Sequence, residues 1–264
     1  MPPAPPPLSG ATGGIYHVRN MRVPIAAYGW RELLVVGGLF GAAAVVGFLA
    51  FPVPFNVPAG LLALALLVFV VSFFRDPERP LPQDEHLVVS PADGTVADIQ
   101  EFRDHPFMKG PCHRVGIFLS VFNVHVNRAP LTGRVEWLHY KPGAYLDARD
   151  PAASEENEAQ DVGFRVVDAE GREHPVLVRQ IAGLIARRIV CDLEEGEIRR
   201  RGERFGMIKF GSRTEIFLPV DLVEELQVRV GDKVRGGLSV IARLRTAVPD
   251  AFPEDRETAE AVAS

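Results

Sequence analysis

Three separated stretches of this 264-residue chain carry side chains able to do nucleophilic chemistry together. The first, "MIKFGSRTEIFLPV" over residues 207–220, reads as one apolar strand with Gly211 and Ser212 at its centre. A glycine weakens a strand interior and marks a bend or a close backbone approach. Placed before a serine, it also leaves room beside the adjoining carbonyl. The second stretch, "FLSVFNVHVNRAP", sets His125 between Asn123 and Asn127 in a run apolar enough to be buried. The third, "SPADGTV", presents the carboxylate of Asp93 from a turn. An imidazole that takes a serine proton, with a carboxylate holding its tautomer, is the working part of an Asp/His/Ser site. Taken singly, each residue also has a plain structural reading: an Asx turn for Asp93, a satisfied core histidine for His125, a bend for Gly211-Ser212.

Other chemistries find less support. Seven histidines are present, yet no HExxH or HxH spacing occurs, so no metal is expected. The GxSxG elbow of α/β-hydrolases is missing. Two cysteines, Cys112 and Cys191, are too few and too far apart for a disulfide framework or a CxxC pair, which suits a reducing cytoplasm. A formal net charge of -5 supplies no basic field to gather nucleic acid, so none is expected as a partner.

The elements that must position these residues are mostly strands. Short runs rich in Val, Ile and Phe, such as "RVGIFLSVFNVHVN" and "GRVEWLHYKPG", alternate with turn sequences such as "PADG" and "DAEGRE". The fold class expected is α+β, predominantly β. Helix is expected in small amounts: "QIAGLIARRIV" suits a helix or a strand, and "VDLVEEL" suits one helical turn. The segments "SPADGTVADI" and "VRVGDKVRGGLSVIA" resemble hairpin elements of barrel-sandwich (lipoyl/biotinyl-type) domains, without the lysine-bearing tip of those carriers.

Ahead of this domain, residues 33–51 and 57–74 are free of charge. As helices they would be about 27–29 Å long, just enough to cross a hydrocarbon core of about 30 Å. A membrane hairpin is expected over 31–74, either spanning the bilayer or lying re-entrant at its surface. A pair of buried helices in a soluble core is the alternative. Arg19, Arg22 and Arg31 precede it and Arg75 and Arg79 follow, which places both ends in the cytoplasm and the domain on the cytoplasmic face of the cell membrane. Residues 1–30 read as a Pro/Gly-rich tail, 75–246 as the catalytic domain and 247–264 as a flexible C-terminal tail.

The set "FFRDPER", "SPADG" (90–94), "FNVHVNRAP" (122–130), "NE" (157–158) and "GMIKFGSRTEIFLP" (206–219) resembles the phosphatidylserine decarboxylases, in their shorter bacterial and archaeal form. The resemblance runs in consistent order over roughly residues 73–243, and its last motif is highly specific. It implies a proenzyme whose Ser212 attacks the carbonyl of Gly211, giving a β chain of 1–211 and an α chain of 212–264 blocked by a pyruvoyl group made from Ser212. His125 and Asp93 would be base and orienter. The pyruvoyl ketone would then condense with the serine amine of phosphatidylserine and take up the electrons released as CO2 leaves. The longer bacterial members carry a second histidine three residues before His125, where this chain has Phe122.

A diacyl substrate gives the membrane segment a purpose. Arg75, Arg79, Arg128 and Arg213 are the guanidinium groups considered for its phosphate or carboxylate, with Arg213 and Arg128 foremost. Whether the chain pairs as a homodimer is left open by the residues. Two rival readings remain beside the resemblance: a membrane-anchored barrel-sandwich binding or carrier module, and a Ser-His-Asp hydrolase that leaves Ser212 intact.

Overall fold

The computed structural model describes residues 25–50, 53–103, 105–150, 152–184, 188–209 and 211–254. Most of the expected N-terminal tail, residues 1–24, and the last residues, 255–264, lie outside that set. Two long helices come first, α1 (Trp30–Ala50) and α2 (Val53–Phe73). The first strands are β1 (Leu87–Val89), β2 (Gly94–Phe102), β3 (Cys112–Leu119), β4 (Val126–Arg128) and β5 (Gly133–Lys141). A short helix α3 (Ala153–Glu156) precedes β6 (Ala159–Val167), β7 (Glu173–Ile181), β8 (Ile189–Cys191) and β9 (Ile198–Arg199). The chain closes with β10 (Arg204–Ile208), β11 (Ser212–Pro219), β12 (Val223–Leu226), β13 (Lys233–Val234) and β14 (Val240–Leu244). The domain is therefore predominantly β with few helices.

The strands form an eight-stranded sheet in the order β13-β2-β3-β11-β7-β6-β5-β9 and two three-stranded sheets, β1-β14-β12 and β4-β10-β8. Every pairing between these strands is antiparallel among the described residues. The β6–β7 hairpin shows why: the Asp168 carboxylate accepts hydrogen bonds from the backbone N–H groups of Glu170 and Arg172, closing a turn that Gly171 completes at φ 80°. At the centre of the large sheet, β11 is buried at all eight positions. Successive side chains alternate faces. Ile216 and Leu218 therefore enter the main core with Ile117, Leu119 and Phe164, while Phe217 packs on the opposite face with Phe107 and Leu177.

Several expectations change here. Residues 207–220 are not one strand: β10 and β11 belong to different sheets, and the chain changes sheets at Gly211, whose φ of 65° only glycine adopts freely. In "VDLVEEL" a single turn ends at Leu222, whose N–H donates to Pro219 O, and goes no further because β12 is recruited by β14. "QIAGLIARRIV" contributes the end of β7 and most of β8, so no helix forms among its described residues. Residues 247–254 are not a free tail, since Val248 and Phe252 are buried and the Val248 N–H reaches Glu85 O.

α1 and α2 pack against one another and leave Leu34, Leu39, Leu49, Leu61 and Leu62 exposed. Among the described residues no helix is long and apolar enough to cross a membrane. The foot of the hairpin is anchored: Phe73 and Phe74 are 1% exposed and pack with Ala26, Val124, Val126 and Met207. Burying each phenylalanine is worth about 2 kcal/mol, enough to hold the helices to the segment that carries the histidine.

Candidate active site

Ser212 opens β11, opposite Leu119 of β3, and is fully buried. Its Oγ has no hydrogen-bond partner among the described residues. A buried hydroxyl without a partner costs about 1–3 kcal/mol, so its retention calls for a chemical reason. Burial also rules out an outside substrate reaching this oxygen while the chain is whole. The neighbouring electrophile that needs no access is the carbonyl of Gly211.

His125 sits just before β4, and its carbonyl accepts a hydrogen bond from the N–H of Ile208 at the end of β10. The imidazole is fully buried. Nδ1 lies 3.0 Å from the carbonyl oxygen of Asn123, an acceptor only, so Nδ1 carries the proton and donates it there. That leaves Nε2 as an unprotonated acceptor, and it too is buried without a partner among the described residues. The turn that supplies the carbonyl is held by Asn123 Oδ1, which accepts hydrogen bonds from the backbone N–H and the hydroxyl of Ser120. Burial pushes the His125 pKa down to about 4, against smaller upward contributions from the Asn123 carbonyl and the Asp93 charge. Phe73 at the end of α2 supplies much of the apolar wall, its ring centroid 4.3 Å from the imidazole's. The result is a neutral base at neutral pH, with its free nitrogen and the serine hydroxyl as complementary unsatisfied groups.

Asp93 departs from the expected arrangement. Its carboxylate is gripped by Arg79, at 2.5 and 2.9 Å, and by the N–H of Gly236 at 2.8 Å. The tautomer of His125 is thus set by Asn123 O and not by Asp93, which acts on the imidazole through space. The motif around Arg79 explains itself in the same way. Asp76 accepts from Arg128 at 2.7 Å and also pairs with Arg204, and Arg75 donates to Phe122 O at 2.6 Å. "RDPER" is a latch between the foot of the hairpin and the strands that carry the site.

The arginines expected at the substrate are committed elsewhere. Arg213, 1% exposed, donates to Asp98 at 2.5 Å and to Glu215 at 2.8 Å on the far face of the sheet. Arg128, 4% exposed, serves Asp76 and the carbonyls of Gly202 and Pro77. Neither offers a guanidinium to a headgroup. Both lie next to site residues in sequence, but strand alternation and the latch turn them away.

Four polar residues around the site had no role assigned from the sequence. Asn127 Nδ2 donates to Thr214 Oγ1 at 3.0 Å, and Asn127 Oδ1 accepts from Gln180 at 2.9 Å, tying β4, β11 and β7 together behind Ser212. Asn157, fully buried, donates to Leu146 O and to Ala182 O. The "NE" motif was the visible signal for the last of these. Among the described residues no group of three His, Cys, Asp or Glu side chains gathers as a metal set.

A cleft of about 370 Å³ is bounded by Gly211 itself, with Phe118, Val121 and Leu184 as apolar walls and Ser120, Asp147 and Arg149 as its polar residues. A larger cleft of about 790 Å³ lies under the hairpin around Tyr28, Asp76 and Arg204, and none of the three reactive side chains lines it.

Similarity to known proteins runs over most of the chain. The family model for phosphatidylserine decarboxylase matches residues 66–242. A phosphatidylserine decarboxylase proenzyme of Carboxydothermus hydrogenoformans is 43% identical over 227 residues, covering 85% of this chain and 100% of its own length. One from Symbiobacterium thermophilum is 46% identical over 226 residues, covering 85% and 98%. One from Syntrophus aciditrophicus is 49% identical over 179 residues, covering 68% and 81%.

Proposed function

The chain belongs to the phosphatidylserine decarboxylase family, and from that premise we propose that it cuts its own Gly211–Ser212 bond, converts residue 212 to a pyruvoyl group, and removes CO2 from phosphatidylserine to leave phosphatidylethanolamine. The observation that carries this reading is the pair of buried, partnerless atoms: Ser212 Oγ, directly after Gly211 where the chain changes sheets, and His125 Nε2, on the residue whose carbonyl bonds Ile208 at the end of β10. In maturation, Nε2 takes the hydroxyl proton as Oγ attacks the Gly211 carbonyl carbon. The C–N bond then breaks, the amine takes the proton, and an ester joins the two residues. Loss of the Cα proton of residue 212 expels the Gly211 carboxylate and leaves dehydroalanine, whose imine form adds water and releases ammonia. The chain ends stay in place because β10 is held by β4 and β8, and β11 by β3 and β7.

The residues fit the group they would generate: position 212 is dry, held by strands on both sides, and next to a cleft. The pyruvoyl group supplies a ketone that accepts the electrons set free as CO2 departs. His125 Nε2, neutral at rest, holds and returns protons at that position, and Phe73 keeps water from it. Asp93, anchored by Arg79, favours the transient imidazolium through space.

The hairpin is read as lipid-facing. Its exposed leucines form an apolar surface of the kind that marks membrane contact. Phe122, 73% exposed, stacks edge-on against Phe69 of α2, and Leu184, 64% exposed, lines the cleft at Gly211. The reading places the domain on the cytoplasmic face of the cell membrane, with a barrel-sandwich-like core in which β13 pairs with the start of β2 and β1 with β14, and leaves room for a homodimer. The decisive experiment is intact mass of purified chain together with phosphatidylethanolamine formation from vesicles containing phosphatidylserine. Two fragments divided between 211 and 212, the second lacking its amino group, are expected. A single full-length species in an active preparation overturns the proposal.

A further inference from the structure

We propose that Gly183 is a positioning residue for self-cleavage, a bare seat in which the carbonyl of Gly211 rests. The inference rests on the self-cleavage reading above. Just past the end of β7, Gly183 approaches the scissile carbonyl so closely that a Cβ added there would lie well inside van der Waals distance of the Gly211 oxygen and 3.0 Å from its carbon. An added Cβ replaces a Cα hydrogen, so that hydrogen points at the carbonyl oxygen in a weak Cα–H···O contact. The seat is rigid. Asn157 Nδ2 donates to Ala182 O at 2.8 Å, the Ala182 N–H donates to Glu158 O at 2.9 Å, and the Ala148 methyl stands 3.2 Å from where the Cβ would be.

Gly211 itself, at φ 65°, has open space where a Cβ would sit. Its carbonyl is met from the far side by Gly183. With the oxygen seated against residue 183, the carbonyl carbon stays within reach of Ser212 Oγ. Any side chain at 183 must push the oxygen out by an ångström or so, and a misplacement of that size in a reacting pair costs roughly 10²-fold in rate. Once the bond is cut, the Gly211 end is a free carboxylate and can yield.

The test follows conversion of newly synthesised Gly183→Ala and wild-type chains by denaturing gel and intact mass, then measures turnover per pyruvoyl group in the fraction that matures. Self-cleavage slowed roughly 100-fold, with turnover per pyruvoyl slowed far less, is expected. Wild-type cleavage rates in Gly183→Ala overturn the inference while leaving the self-cleavage reading intact. Turnover that falls in step with cleavage, or a Ser212→Ala/Gly183→Ala chain that no longer melts cooperatively as Ser212→Ala does, marks a general packing defect and overturns it as well. A wild-type chain that stays whole removes the premise and the inference together.

Discussion

The pH dependence of maturation puts the buried base to its hardest test. His125 has a pKa of about 4 in the folded chain, pushed down chiefly by burial from an ordinary 6.5. At pH 5 such a base is about 90% neutral, whereas an exposed histidine would be about 3% neutral, a difference of roughly thirtyfold in competent base. Proenzyme made in a cell-free reaction at low temperature, then shifted to buffers between about pH 4.5 and 8, is therefore expected to cleave at a flat rate above pH 5 and to slow only below it. A midpoint near 6.5 would refute the argument that burial against Phe73 keeps the imidazole neutral. The same burial affects stability. The folded pKa lies below the unfolded one, so the unfolded chain takes up the proton first, and stability is lost as pH falls from 6.5 towards 4 and is fully present above 6.5. At about 1.4 kcal/mol per pH unit, that gap amounts to about 3 kcal/mol. Comparing Ser212→Ala with Ser212→Ala/His125→Gln by urea unfolding across this window isolates the histidine. Asp161 and Asp168, both held near pKa 2 by their ion-pair and hydrogen-bond partners against the opposing effect of burial, contribute at lower pH and do not blur it.

The other predictions concern single side chains. Ser212→Ala should give a folded, uncleaved, inactive chain, and cleavage of that variant on a gel would move the scissile bond elsewhere. Asp93→Asn should slow self-cleavage and also cost about 3–5 kcal/mol in the Ser212→Ala background, because it strands Arg79 without its buried carboxylate; a chain that melts unchanged counts against the pair. Arg213→Ala should lower the melting temperature sharply, because fully buried Glu215 loses its close cationic partner and keeps only Ser154 and the more distant Arg114. A selective rise in KM for phosphatidylserine without loss of stability would instead restore Arg213 to the headgroup. Phe73→Ala should raise the pH midpoint of maturation towards 6.5, read in the same cell-free assay, as water reaches the imidazole.

Much of the site was legible because its chemistry is local. The Gly-Ser pair, the histidine flanked by asparagines and the turn aspartate stand out from their surroundings, and the turn at Asp168 announces the hairpin it closes. What pairs with what was not legible. The Asn123 carbonyl, two residues from His125, takes the hydrogen bond that a triad pattern would assign to Asp93, and no residue-type signal marks a main-chain acceptor. Arg213 looked like a substrate contact because it adjoins Ser212, yet neighbours on a strand face opposite ways.

The order of residues by itself determined the β-rich domain, the apolar hairpin ahead of it and the three candidate side chains, since periodicity, turn chemistry and residue type are properties of short segments. Only the tertiary structure decided that residues 207–220 are two strands of two sheets. Only it placed Phe73 of the hairpin against the His125 imidazole and a bare glycine from beyond β7 against the Gly211 carbonyl. Those relations join residues far apart in the chain, and they arise from which surfaces bury one another.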